Sequence, residues 1–64
     1  MTRFERDLKE ALNGNEIEVL SRRKAEIDSL TKEMKSCKNG FRRKCIAQDI
    51  ARLTAEYNKI DSNF

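Results

Sequence analysis

Fold the sequence back on Gly40 and its apolar residues meet in pairs. Met34 falls opposite Ile46, Leu30 opposite Ile50, Ile27 opposite Leu53, and Leu20 opposite Ile60, each pair of numbers adding to 80. Before the glycine, Leu20, Ile27 and Met34 lie seven apart, as do Leu30 and Cys37, the a/d spacing of a helix with one apolar seam. After it, Ile46, Ile50, Leu53, Tyr57, Ile60 and Phe64 step by 4, 3, 4, 3 and 4. Arg23 also stands on the seam, opposite Tyr57, where a guanidinium can lie on the ring. One constant fits both patterns, so the sequence predicts an antiparallel helical hairpin. A single unbroken helix is the rival, but Asn39-Gly40 interrupts it and the seam changes phase there.

The remainder of the chain reads as one short helix. Thr2 followed by Glu5 fits a capping box. Phe4, Leu8, Ala11 and Leu12 then recur at helical spacing until Asn13-Gly14. Asn15 followed by Glu18 predicts a second capping box. The expected helices are therefore about 3–12, about 16–38 and about 41–63, with a turn at 39–40. Pro is absent and aromatic residues are few, which argues against a sheet. The expectation is a single all-α domain over 1–64: a short N-terminal helix, then a coiled-coil-like hairpin.

Sixty-four residues leave little margin. Burying a large apolar side chain stabilises by roughly 1.5–3 kcal/mol, while ordering each residue costs about 1.5 kcal/mol. Self-association is a common remedy for chains of this size. Off the seam, Ile17, Val19, Ala47, Ala51 and Ala55 widen the apolar face, and Phe4, Leu8 and Leu12 belong to the first helix. Phe4, Leu8, Leu12, Ile17, Val19, Ala47 and Ala51 form the candidate oligomer face of a homodimeric bundle. A three-helix monomer is the alternative. No run of about 18 apolar residues exists to span a membrane. The N-terminus lacks the apolar stretch of a signal peptide, so the expected location is cytoplasmic, with Cys37 and Cys45 as thiols.

The stretch CKNGFRRKC, residues 37–45, gathers charge at the bend. Lys35, Lys38, Arg42, Arg43 and Lys44 meet no acid between Glu33 and Asp49. Lys35 and Lys38 suit a helix C-terminus, whereas Arg42, Arg43 and Lys44 oppose the dipole at the next helix start. With Phe41, which reads as a plug for the hairpin end, these residues are the candidate interaction tip. A solvated loop, a nucleic-acid or phosphate contact, and a dock for an acidic protein surface all remain open. A secondary basic run, Arg22, Arg23 and Lys24, lies about 24 Å away along the helix. The two thiols stand one step off register for a bridge. Two Cys without any His make a zinc site unattractive. No histidine, activated nucleophile or Gly-rich phosphate loop is present, so neither catalysis nor a cofactor is expected.

The opening MTRFERDLKEAL, the helical segments and the basic bend KNGFRRK resemble the short accessory proteins encoded between the exonuclease and excisionase genes of lambda-like temperate phages. That resemblance implies a protein made early in infection, in the host cytoplasm, that modulates host processes or the choice between lysis and lysogeny. It would act by contact with other proteins, and no functional residue carries over. The hairpin is also similar in architecture to plasmid copy-control proteins that dimerise as four-helix bundles and bind RNA loops. The leading expectation is a non-catalytic protein–protein interaction module with an unidentified protein partner. The alternative is a nucleic-acid-binding accessory protein that uses the basic tip.

Overall fold

The computed structural model describes residues 2–64, and the chain is all-helical. Helix α1 spans Arg3–Glu10, α2 Glu16–Ser36 and α3 Gly40–Asp61. Thr2 opens α1 as the sequence predicts: its hydroxyl accepts the Glu5 N–H at 3.2 Å. A π-helical turn, Ala11–Asn15, joins α1 to α2 and contains the reversal. Its pivot is Gly14, at φ 104°, a left-handed conformation that glycine adopts without a Cβ clash. The second capping box does not form. Asn15 has φ −105° and ψ 28°, and its side chain makes no cap bond. A capping side chain reaches the next turn from an extended backbone, which Asn15 lacks.

The second connection also differs from expectation. α2 ends at Ser36, two residues early, and Cys37 and Asn39 are extended. Asn39 then acts as the N-cap of α3, its side-chain oxygen accepting the Arg42 N–H at 3.1 Å. Asn39-Gly40 therefore starts a helix rather than stopping one, and Gly40 is the first residue of α3. A Cβ added at Gly40 meets nothing within 4 Å, and the backbone there is not left-handed. Gly40→Ala should thus stabilise by about 0.4–1 kcal/mol by narrowing the unfolded ensemble. A urea titration checks this, and a loss of stability would mean that the turn needs glycine for another reason.

α2 and α3 lie side by side in a body of 41 × 19 × 17 Å. Arg42 on α3 bonds Glu33 on α2 near the connection, and Arg23 on α2 bonds Glu56 on α3 farther along. On α3 the buried residues are Ile46, Leu53 and Ile60, one every seven positions, with Ile50 and Tyr57 half-buried beside them. On α2, Leu20, Ile27, Leu30 and Met34 are only half-buried, while Val19 and Arg23 are the most deeply enclosed. α1 causes this asymmetry. Ala11, Val19 and Ile60 form the core cluster, with Phe4, Leu8 and Leu20 packed against it.

Val19, expected on an outward oligomer face, is fully buried because α1 covers that flank. Phe4 and Leu8 are half-buried in the same place. Of the expected face, Leu12, Ile17, Ala47 and Ala51 stay exposed. The seam also ends earlier than its spacing suggests: α3 stops at Asp61, and Phe64 lies exposed beyond it.

Candidate functional site

Two charged regions stand out, and they behave oppositely. The first is internal. Position 23 falls on the inward face of α2, so its side chain must enter the interior whatever its chemistry. Arg23 is 1% exposed. Its Nε donates to Asp7 Oδ2 at 2.8 Å and its Nη1 to Glu56 Oε1 at 2.9 Å. Nη2 is buried with no hydrogen-bond partner. One guanidinium thus ties together side chains from all three helices. Two carboxylates offer a charged cation far more than a ring quadrupole does. Tyr57 lines a groove between α2 and α3 with Lys24, Ile27 and Thr54.

Around Arg23 the charges continue outward. Arg22 donates to Glu10 Oε2 at 3.0 Å and lies 3.4 Å from Asp7 Oδ1. Arg3 grips both carboxylate oxygens of Glu26. Arg3 with Glu26, Asp7 with Arg23, and Ala11 with Val19 in the core cluster give pairs whose numbers add to 29 or 30. α1 therefore runs back along α2 with its fold point at Gly14 and Asn15. Folding the sequence at Asn15 as well as at Gly40 places Asp7 on Arg23, so a signal for this cluster does exist in the residues.

These partners remove the secondary basic run from consideration as a binding stripe. Arg23 is enclosed and doubly bonded, and Arg22 is held by two acids. Lys24 alone of the three is an exposed cation without an ion pair among the described residues.

The hydrogen bond from Arg3 pulls the Glu26 carboxyl below the usual glutamate range, against a smaller opposing effect of burial. A depressed carboxylate pKa adds stability above the unfolded value, about 4.3, and loses it as pH falls through the lower folded value. Acidification below about pH 4 should therefore loosen the attachment of α1 at Glu26. Both partners are partly exposed, so the loss from this pair should stay near the about 0.2–1 kcal/mol of solvated ion pairs. Thermal melts of the wild type and Glu26→Gln over that range check this. The difference between them should shrink toward low pH.

The second region is the connection between α2 and α3. It brings together all the residues expected at the tip. Arg42 is neutralised, its Nη2 donating to Glu33 Oε1 at 2.8 Å. Lys35, Lys38, Arg43 and Lys44 are exposed and form no ion pair among the described residues. Phe41 does not plug the core end. It is 78% exposed, because α3 begins at Gly40 and its first inward residue is Ile46. Cys37 is half-buried, with Sγ 3.6 Å from the Asn39 carbonyl oxygen, and Cys45 is exposed; both are free thiols. Among the described residues no group of three or more His, Cys, Asp or Glu could hold a metal ion. No described helix is long and apolar enough to cross a membrane.

The site is thus a cationic end carrying one bare phenyl ring, on an all-helical body pinned internally by an arginine. No protein-family model, curated protein or solved structure matches the chain.

Proposed function

We propose that the chain is a non-catalytic protein–protein interaction module. In this reading α2 and α3 form an antiparallel, coiled-coil-like hairpin with the 37–39 connection as its contact end, and two copies associate. The observation that carries it is Phe41, left 78% exposed among Lys38, Arg43 and Lys44. An exposed phenyl ring set among cations offers a partner apolar and charged contact together. The complementary surface is an acidic protein face with an apolar recess, where Phe41 loses its contact with water and the cations lose their mutual repulsion. Leu12, Ile17, Ala47 and Ala51 remain as apolar surface available to a second copy. A small helical protein that works by occupying a partner's surface also fits the resemblance to early accessory proteins of temperate phages.

Nucleic acid is the second reading, favoured by the same cations and by the ability of Phe41 to stack on a base. The neutralised Arg22–Arg23 pair weakens it, since no second basic contact extends the tip. Affinity capture on the immobilised chain, with and without nuclease, separates the two. Protein capture that survives nuclease, and falls for Phe41→Ala and for Lys38, Arg43 and Lys44 changed together to Gln, supports the first reading. Nuclease-sensitive capture with a steep salt dependence supports the second. These surface variants should fold like the wild type, within about 0.5 kcal/mol.

A further inference from the structure

We propose that α1 is exchanged between two copies of this chain, each α1 packing on the α2–α3 flank of the other. The proposal rests on the reading of the protein as self-associating and specifies how the copies join. α1 is tethered through a helical turn in which Gly14 is left-handed and Asn15 also departs from helical angles. Returning both residues to the helical region turns Arg3–Ser36 into one continuous helix and swings α1 away from its own flank. Every contact α1 gives up is available, unchanged, on a second copy. Asp7 can meet that copy's Arg23, Glu10 its Arg22, Arg3 its Glu26, and Ala11 its Val19 and Ile60.

Two further observations favour a second copy as occupant over an unrelated helix. The flank is specific, requiring acids at positions 7 and 10, a cation at 3 and a small residue at 11, which α1 of this chain supplies. The residues beside the pivot, Leu12 and Ile17, are 58% and 77% exposed when the chain is bent. In an exchanged dimer the two pivots lie next to each other, because each α1 crosses to its partner there. Leu12 and Ile17 then gain the partner's Leu12 and Ile17 as neighbours, an interface that the bent chain lacks.

The test is complementation by charge reversal. In Asp7→Arg the introduced arginine faces Arg23 of its own chain, and in Arg23→Asp the introduced aspartate faces Asp7, so each variant alone should melt below the wild type. Refolded together in equal amounts, an exchanged heterodimer places opposite charges at both flanks. The expected result is a new transition above that of either variant, with a heterodimer mass by native mass spectrometry. A mixture that melts as the sum of its parts overturns the exchange. Gly14→Ala supplies a second readout. Alanine is disfavoured at φ 104° and favoured in a continuous helix, so dimerisation should tighten about tenfold per pivot, about a hundredfold in all. Unchanged or weaker dimerisation of that variant overturns the proposal. A wild type that self-associates without complementation keeps the dimer and loses the exchange, whereas a monomer mass at every concentration removes both.

Discussion

Arg23→Ala should lose about 3–5 kcal/mol, the cost of taking the nearest cation from a buried carboxylate. Stabilities near 0.05–0.15 kcal/mol per residue give a chain of this length roughly 3–10 kcal/mol in total, so the variant should lose about a third of its stability or more. The loss is large because Asp7 is itself enclosed, its side chain 10% exposed, and keeps only the longer contacts to Arg22 at 3.4 Å and Arg3 at 4.0 Å once the guanidinium is gone. Glu56, at 29%, can turn to water. Removing charge from both buried positions should behave differently. Arg23→Met combined with Asp7→Leu keeps the volume, drops the desolvation cost and eliminates the partnerless Nη2, so it should match or exceed the wild type, by up to about 4 kcal/mol. Urea titrations of the single and double variants decide. A single variant as stable as the wild type would mean that the Asp7–Arg23–Glu56 cluster does not form in solution.

Ile60→Ala is the second large effect, at about 2–5 kcal/mol from lost burial and the cavity left behind. Ile60 is fully buried and packs with Ala11 of the turn and Val19 of α2, so its truncation opens a void where three segments meet and none can close it alone. Leu30→Ala should cost distinctly less. Leu30 is only half-buried, so part of its side chain already contacts water and less transfer free energy is lost. Thermal melts of the two variants side by side check the order. A reversal would place the centre of the core at the middle of the seam rather than at the α1 end.

The helical class of the chain was legible because the seven-residue spacing, the Thr2 cap and the two Asn-Gly pairs all point the same way. Buried Ile46, Leu53 and Ile60 all come from the seam that the spacing marks. What spacing could not convey was weight. A periodic pattern ranks Leu30 with Ile60, yet burial depends on whether a third element covers the layer, and α1 covers one end only. The same blindness put Val19 outside. Arg23 points inward as the seam implies, but Asp7 and Glu56 were not foreseen, because a seam fixes which way a residue points and says nothing of which distant acid arrives there. At the tip Lys35, Lys38, Arg43, Lys44 and Phe41 are exposed. The exposure of the ring follows from the start of α3 at Gly40, a boundary set by the Asn39 cap that no apolar pattern encodes.

The buried arginine also restricts how such a chain can diverge. The buried guanidinium at position 23 depends on Asp7 and Glu56 for its hydrogen bonds, so the acceptors around it must persist as long as it does. Positions 7, 23 and 56, on three different helices, are therefore bound into one unit of sequence change. Position 56 has the most latitude, because its carboxylate already reaches water and its loss leaves Asp7 in place. Position 7 has the least. An apolar residue at 23 becomes accessible only along a route that first removes the acid at 7. Descendants should accordingly fall into two groups, one with the charged cluster whole and one with a fully apolar layer, with few sequences in between.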